Sequence, residues 1–466
     1  MSRTQRVLLI KPDQNAQTSY HAPPLGLMAV AANLRRKGDV DVRIIHQPVE
    51  GLSREGLGRR IRELEPDWIG ISALTFESSG LHRAAAVAKE VRKDLVVVAG
   101  GPHASIYADK VLADENVDFA ILGEGDRSAV ELSAALRTGG PVADIDGLAW
   151  REGGELRIRP QTRYVEDLDA LPFPAWDLID VPAYTRYTRM SRIGKRPYMG
   201  LFTTRACPYH CVYCHRMFGK KIRKRSPESV MAEIRALHDD HGVRELEIVD
   251  DCFNLDLPRA KKIFDLIIAS GLELRLMFPN GVRGDHLDEE FMIKGRKAGV
   301  TAMSFGIETA SPRLQKLLHK NLDLAKVSRS IALARKQGII TLGFFMLGFP
   351  SETAEELAMT VDFAARSELH AVNFFAVTPF AGTELAAWAA REGKTAPCDF
   401  DHPYMDGVFT NLTDLPDWQL RRIRQRGTLR FYASPSRIWS ILRDYPDKRE
   451  LPRLAGALLK RLALRT

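Results

Sequence analysis

The chain has 466 residues and a mass of 52.2 kDa, enough for about two to four domains with buried cores. Apolar residues make up 45% of it and charged residues 27%, which excludes a disordered, collagen-like or disulfide-scaffolded chain. The net charge of +8 fits an anionic substrate, a nucleic acid or a membrane surface without selecting one. Met1–Ile10 lacks the pattern of a secretory signal, so a cytoplasmic protein is expected.

The first 140 residues alternate short apolar strands with helices. Strands are predicted over Val7–Ile10, Val40–His46, Trp68–Ala73, Leu95–Ala99 and Phe119–Leu122, and helices over Leu25–Lys37, Leu57–Leu64, Leu81–Lys93 and Asp126–Leu136. This alternation predicts a Rossmann-like, doubly wound parallel sheet in residues 1–140. Ligands of such sheets bind beyond the carboxyl ends of the strands. The loops at those ends contain Ser72, Thr75, Gly100, Gly101, His103, Gly123, Glu124 and Gly125.

Residues 141–197 interrupt the alternation. Gly147–Arg159 predicts a hairpin that turns at Gly153-Gly154. The following stretch is rich in Pro and Tyr and only weakly periodic, so it is interpreted as a connector between domains.

A second alternating series occupies residues 198–385. Its predicted strands are Met199–Thr203, Glu245–Val249, Glu273–Phe278, Ala302–Ile307, Ile339–Leu347 and Val372–Val377, and its predicted helices are Pro227–His241, Pro258–Ser270, Leu287–Ala298, Leu322–Gln337 and Ala354–Arg366. Six βα units predict a partial (β/α)6 barrel of the TIM type. Residues 386–466 are expected to form a helical, basic carboxy-terminal region.

Three cysteines, Cys207, Cys211 and Cys214, lie within eight residues just after the first strand of this series. Thiolates are the usual ligands of iron–sulfur clusters, and three of them would leave one iron of a [4Fe–4S] cubane open to bind a small molecule. A zinc site completed by His210 or His215 is the alternative. Cys252 and Cys398 are expected to be buried or idle thiols.

Polar and glycine residues end the later strands of the same series. Asp250 and Asp251 follow the second strand, Glu308 the fourth and Gly348 the fifth. The chemistry of a βα barrel belongs at this rim. Each of these residues taken singly also fits a helix cap or a tight turn.

The spacing Cys-x3-Cys-x2-Cys at the first strand of a βα series resembles that of the radical S-adenosylmethionine enzymes. The likeness continues through Ile248–Phe253, Ser304–Thr309 and Gly343–Pro350, which look like motifs of the subgroup with an amino-terminal cobalamin-binding domain. The resemblance implies a [4Fe–4S] cluster on the three cysteines and S-adenosylmethionine bound near Asp250, Asp251, Glu308 and Gly348. It also implies cleavage of S-adenosylmethionine to a 5′-deoxyadenosyl radical, with Tyr213 near the adenine or shielding the cluster.

The amino-terminal loops resemble those of the same subgroup. The resemblance implies that Ser72, Thr75, Gly100, Gly101, His103, Gly123, Glu124 and Gly125 bind cobalamin. Two departures stand out. The motif Asp-x-His-x-x-Gly is absent, so the usual histidine below the cobalt is missing, and His21 lies in the corresponding loop with a different spacing. The second strand ends in His46, where relatives often carry an acidic residue.

The leading hypothesis is a cobalamin-dependent radical enzyme that methylates an unactivated carbon of a small-molecule or natural-product substrate. It would draw electrons from a one-electron reductase of the flavodoxin or ferredoxin type. The alternatives are a non-methylating reaction, such as oxidative cyclisation of the anaerobic magnesium-protoporphyrin monomethyl ester cyclase type or a rearrangement, and a non-catalytic metal or iron–sulfur sensor.

Two basic segments suggest further partners. Lys220–Arg225 is interpreted as a solvated loop or as an attractor of an anionic substrate or reductase. Leu451–Thr466 is interpreted as a surface helix or as a membrane contact. No nucleic-acid partner is expected, because the basic residues are not interleaved with stacking aromatics.

Overall fold

The computed structural model describes residues 3–14, 21–187, 190–191, 196–394, 411–453 and 455–456. They divide into two compact units. The first unit contains the described residues up to Tyr187 together with Arg216–Arg225, and the second contains the other described residues. Cys398 and most of Leu451–Thr466 lie outside the described part of the chain.

The first unit is built on a seven-stranded sheet in the order β2-β1-β3-β4-β5-β6-β7. Its strands are β1 (Gln5–Lys11), β2 (Val40–His46), β3 (Trp68–Ser72), β4 (Val96–Gly100), β5 (Phe119–Ile121), β6 (Leu148–Glu152) and β7 (Glu155–Ile158). The first five are parallel, and the hairpin of β6 and β7 extends the sheet antiparallel to β5. The strand order reverses at β1 and β3, where doubly wound sheets bind ligands.

Helices cover both faces of this sheet, and a separate apolar core lies under each face. They are α1 (Leu25–Arg36), α2 (Arg54–Leu64), α3 (Ser78–Val91), α4 (Gly101–Ile106), α5 (Ala108–Leu112) and α6 (Gly125–Thr138). The predicted doubly wound fold is confirmed. Helices α4 and α5 were not predicted, because helices of six and five residues are too short to show a helical period.

The second unit contains a six-stranded parallel sheet whose strands run in chain order: β8 (Tyr198–Leu201), β11 (Glu245–Ile248), β12 (Arg275–Val282), β13 (Val300–Glu308), β14 (Ile340–Leu347) and β15 (Ala371–Ala376). Two two-residue strands flank the cysteine segment along the chain: β9 (Thr204–Arg205) belongs to this unit and β10 (Arg223–Lys224) to the first. Sequential parallel strands joined by helices are the topology of the predicted partial barrel.

The helices of the second series are α7 (Pro227–Asp239), α8 (Leu257–Ser270), α9 (Glu289–Lys297), α10 (Pro312–Leu317), α11 (Leu324–Lys336) and α12 (Ala354–Arg366). Short polar side chains begin them: Ser226, Asp256, Asp288, Ser311, Asp323 and Thr353 each accept a hydrogen bond from the first turn. Helices α13 (Glu384–Arg391), α14 (Asp417–Tyr432) and α15 (Pro435–Asp444) follow. No helix in the described part of the chain has the length and apolar content that a bilayer crossing requires.

Candidate functional site

The cysteine segment leaves the carboxyl end of β8 and is held by the backbone of neighbouring elements. The amide of Val212 donates to the carbonyl of Leu318 (3.2 Å), and the amide of Leu385 donates to the carbonyl of Val212 (2.9 Å). Ala206 adopts a left-handed conformation (φ 70°) just before Cys207, an unusual conformation for a residue with a Cβ. The segment therefore has a fixed path between α10 and α13.

Asp250 supports the turn that leads into this segment. Its carboxylate is buried and accepts from the amide (2.6 Å) and hydroxyl (2.5 Å) of Thr203, and Arg259 donates to the carbonyl of Thr203 (2.8 Å). Burial raises the pKa of Asp250. Its hydrogen bonds join two strand ends of the barrel, so Asp250 acts on the path of the cysteine segment.

Asp251 and Cys252 extend from the same loop toward Cys207. Cys252 is buried, as predicted, and its thiol hydrogen-bonds to that of Cys207; this bond raises the pKa of Cys252 and lowers that of Cys207. Asp251 is exposed, yet partial loss of surrounding water and the nearby Asp250 raise its pKa to about 6. The contact of Cys252 with Cys207 was not predicted from the sequence. The position of Cys252 directly after Asp250-Asp251, at the same strand end, could have indicated it.

Glu308 pairs with a lysine that the sequence analysis did not single out. Nζ of Lys320 lies 3.2 Å from Oε1 of Glu308, and both side chains are largely buried. Burial alone would lower the pKa of Lys320, but Glu308, Cys211 and Cys214 raise it. Glu308 is itself left-handed (φ 67°), as are His319 and Asn321 on either side of Lys320. This backbone geometry brings a cation beside two of the three cysteines.

The thiols of Cys211 and Cys214 share a hydrogen bond. That bond, with the charge of Lys320, lowers the pKa of Cys211 to about 6 although burial opposes the shift. The same bond and burial raise the pKa of Cys214. The Cys211 thiol also lies 3.9 Å from the carbonyl oxygen of His319. A thiol that ionises readily beside a lysine is chemically suited to bind iron.

The donor set fits a cubane better than a single ion. In the described part of the chain, no three His, Cys, Asp or Glu side chains converge as ligands of one ion would. In a cubane each cysteine binds a different iron, so the thiols need not meet at one point. His210 is exposed and the ring of His215 packs near Phe380, with centroids 5.8 Å apart.

The Gly348 loop is held by a buried carboxylate. Oε2 of Glu352 accepts from the amides of Gly348 (2.7 Å) and Phe349 (3.0 Å), and burial raises the pKa of Glu352 to about 7. Gly348 has φ of +105°, which favours glycine. Tyr213 packs in the apolar cluster around Phe349, with ring centroids 6.2 Å apart. Tyr213 is therefore held by apolar packing, and its role stays a prediction.

In the first unit, the expected cobalamin-binding residues meet at the carboxyl ends of β3 and β4. A Cβ at Gly100 would have open space around it, whereas one at Gly101 (φ +81°) would lie 2.6 Å from Oγ of Ser72. Thr75 begins the short turn after β3 and is buried. His103 is buried against Tyr107, and burial lowers its pKa to about 4, so its ring is neutral near pH 7. These loops lie at the edge of the sheet where doubly wound folds bind their ligands.

The loop after β5 contains the other three predicted residues. Gly123 (φ +71°) lies against Gln161, and Gly125 begins α6. The carboxylate of Glu124 forms a buried ion pair with Arg223, so the side chain of Glu124 has a partner within the protein. Its role in binding cobalamin therefore stays a prediction that depends on its backbone.

His21 follows β1 in the chain and His46 is the last residue of β2, and their rings are 5.9 Å apart. Nδ1 of His46 is 2.8 Å from the hydroxyl of Tyr184, and burial lowers the pKa of His46 to about 2. Burial also lowers the pKa of His21, whose Nδ1 is buried without a hydrogen-bond partner. His21 packs edge-on against Tyr187, with centroids 4.6 Å apart. Both rings are neutral and tightly packed.

Two family models match the chain. The model of the radical SAM superfamily matches residues 201–364, and that of the B12 binding domain matches residues 15–133. The first match includes the cysteine segment, Asp250, Asp251, Glu308 and Gly348. The second includes every residue expected to bind cobalamin.

The chain is similar over most of its length to curated proteins. It is 29% identical to an uncharacterized methyltransferase of Pyrococcus horikoshii, covering 93% of this chain and 94% of that protein. It is 29% identical to cytidylyl-2-hydroxyethylphosphonate methyltransferase of Streptomyces wedmorensis, covering 85% and 83%. It is 27% identical to the anaerobic magnesium-protoporphyrin IX monomethyl ester cyclase of Rubrivivax gelatinosus, covering 82% and 69%.

The fold also matches a solved structure. The radical S-adenosylmethionine methyltransferase TsrM from Kitasatospora setae, with cobalamin and a [4Fe–4S] cluster bound, superposes with a TM-score of 0.70 at 20% identity and covers 85% of this chain and 76% of that one. At this identity the match supports the architecture of both units.

Proposed function

Because the chain is a radical S-adenosylmethionine enzyme with a B12-binding domain, we propose that it methylates an unactivated carbon of a small molecule. Its cofactors are a [4Fe–4S] cluster, S-adenosylmethionine and cobalamin. The observation that supports methyl transfer is that both domains lie in one chain, and that two curated relatives matched over most of their length are named methyltransferases.

We propose that Cys207, Cys211 and Cys214 bind three irons of the cluster. When bound, the cluster supplies the electron that cleaves S-adenosylmethionine, and the corrinoid supplies the methyl group that is transferred. The protein provides the rest: the low pKa of Cys211 favours the thiolate at neutral pH, and Asp250 fixes the turn from which the segment starts. The three cysteines thus belong to a preorganised segment.

Lys320 supplies positive charge where S-adenosylmethionine is expected to chelate the open iron through its carboxylate. Its ammonium is 3.2 Å from Glu308 and close to Cys211 and Cys214. A cation at this position stabilises a bound carboxylate. Asp251, next to Cys207, is suited to accept a hydrogen bond from the ligand's amino group once ionised. These roles, and that of the Gly348 loop in the same pocket, are part of the proposal.

One experiment tests the reaction type. Protein reconstituted without oxygen with iron, sulfide and hydroxocobalamin is incubated with S-adenosylmethionine, titanium(III) citrate and candidate substrates. Methyl transfer predicts methylated product, 5′-deoxyadenosine and S-adenosylhomocysteine in equal amounts. Formation of 5′-deoxyadenosine without S-adenosylhomocysteine would contradict it.

Oxidative cyclisation is the second candidate. It is favoured by the similarity to the magnesium-protoporphyrin ester cyclase over 82% of this chain. It predicts 5′-deoxyadenosine and a product that is not heavier by a methyl group, so mass spectrometry of the same reaction separates the two candidates. The domain composition leaves the non-catalytic sensor alternative without support.

A further inference from the structure

The segment Arg216–Arg225, called the strap below, follows directly after Cys214 and His215 along the chain. It includes the basic run Lys220–Arg225. The strap is part of the first unit, which carries β1–β5, whereas the cysteines are part of the second. The strap is therefore a covalent continuation of the cysteine segment within the corrinoid-binding unit.

Arg223 attaches the strap through a buried ion pair. Nη1 of Arg223 donates to Oε2 of Glu124 (3.0 Å), Nη2 donates to Oε1, and both side chains are only 2% exposed. The guanidinium also donates to the carbonyls of Val165 (2.9 Å) and Phe218 (2.8 Å). A two-point Arg–carboxylate pair fixes orientation as well as distance. Arg223 is thus not a solvated charge, and this corrects the solvated-loop interpretation at that position.

Neighbouring residues also contact the two partners of the ion pair and the strap. Gln161 exchanges two hydrogen bonds of 2.8 Å with the backbone of Glu124. The ring of Tyr164 lies 5.1 Å from the Arg223 guanidinium. Gly219 has φ of +76°, and a Cβ there would approach the same ring to 3.1 Å. Backbone, ring and glycine together fix the strap at this point.

Glu124 lies in the loop after β5, at the edge of the sheet where cobalamin is expected. Arg223 lies nine positions after Cys214, a stretch that spans at most about 30 Å when extended. The ion pair of Glu124 and Arg223 therefore joins the loop after β5 to the strap, and the strap continues along the chain from Cys214 and His215. Burying an ion pair costs free energy unless both groups make their hydrogen bonds, so a buried pair is not expected in a loop that is merely solvated.

We propose that Glu124 and Arg223 are positioning residues: their buried pair anchors the strap within the first unit and thereby restrains the chain that continues from Cys214. The effect of the anchoring on the reaction rests on the proposed function. The anchoring of the strap by the ion pair does not depend on the proposed function.

The first test is limited trypsin digestion, because the strap contains five lysine and arginine residues besides Arg223. Glu124→Gln removes the buried charge and keeps the shape. The matched control is Glu166→Gln, which removes the exposed partner of Lys221 on the same strap. Cleavage within the strap is expected to be at least tenfold faster in Glu124→Gln than in the wild type and the control.

Equal cleavage rates would overturn the anchoring. Acceleration spread evenly over the whole chain would assign the pair to general stability and would also overturn the proposal. Should Glu124→Gln be too unstable to purify, Arg223→Lys keeps the charge but loses the second donor. It is expected to give cleavage within the strap at a rate between those of the wild type and a free peptide, and a wild-type rate would refute the proposal.

The second test is the electron paramagnetic resonance spectrum of the reduced cluster in protein reconstituted without oxygen with iron and sulfide. The wild type and Glu166→Gln are expected to give the same g values, and Glu124→Gln shifted or broadened ones at unchanged iron content. An unchanged spectrum in Glu124→Gln would overturn the positioning role. If the wild type assembles no [4Fe–4S] cluster, the proposed function fails, and the digestion still decides the anchoring.

Discussion

Lys320→Met tests the electrostatics of the cysteine site. The hydrogen bond with Cys214, and after it the charge of Lys320, lower the pKa of the Cys211 thiol to about 6 in the cluster-free protein; the ammonium of Lys320 lies 3.2 Å from Glu308. An opposite charge within ~4–6 Å shifts a pKa by roughly 1–3 units. Because Glu308 shares the charge of Lys320, we expect its loss to raise the pKa of Cys211 by about one unit, to ~7.

The assay is alkylation of the cluster-free protein by iodoacetamide as a function of pH, with Cys211 quantified by mass spectrometry. Only the thiolate reacts. At pH 6 the thiolate fraction falls from about 0.5 to ~0.1, so alkylation slows about fivefold, whereas at pH 8 the rates converge. Lys316→Met, which removes an exposed lysine of α10, is the control. An identical pH profile in Lys320→Met and the wild type would refute the electrostatic account.

The remaining predictions concern the cluster ligands, the loop after β14 and the corrinoid edge. Replacing any one of the three cluster cysteines by Ala is expected to abolish 5′-deoxyadenosine formation while Cys398→Ala stays near normal; retained cleavage in any of the three would contradict the assignment. Burial raises the pKa of Glu352 to about 7. The stabilisation that comes from protonated Glu352 is therefore complete below pH ~4.5 and is lost as the pH rises to about 7, roughly 3 kcal/mol in all. Glu352→Gln should flatten the dependence of the unfolding temperature on pH in that window. An unchanged slope would count against the raised pKa of Glu352. Gly101→Ala adds a Cβ at positive φ against Ser72, so its affinity for hydroxocobalamin should fall about tenfold, or ~1.4 kcal/mol. The control Gly153→Ala, in the open hairpin turn, should leave the affinity unchanged. Equal affinities of Gly101→Ala and the wild type in titrations would be evidence against a corrinoid at this edge of the sheet.

Local patterns in the sequence predicted most of the fold. Helix α12 has the predicted bounds Ala354–Arg366, because Thr353 and Glu356 form a capping box at its start. Helix α10, with only six residues, was missed for want of a period. The hairpin of β6 and β7 was predicted from its glycines, but its attachment to β5 was not, because strand pairing is not encoded in the hairpin itself.

The candidate site was only partly predictable. The cysteines are adjacent in the sequence, so their spacing predicted a metal site directly. Lys320 lies more than one hundred residues from Cys211 in a loop without a pattern, and it reaches the site through left-handed residues on either side. Glu124 and Arg223 are 99 positions apart, and nothing local in either loop predicts their pairing. Contacts of this kind are set by the tertiary fold.

The central claim is that three cysteines hold a cubane whose fourth iron is open to S-adenosylmethionine, in a protein that also binds cobalamin. Mössbauer spectra of 57Fe-reconstituted, corrinoid-loaded protein, recorded without oxygen before and after addition of S-adenosylmethionine, test it most directly. The account predicts one iron in four whose parameters change on addition. Four irons that do not respond, or protein that holds zinc in place of a cubane, would contradict it.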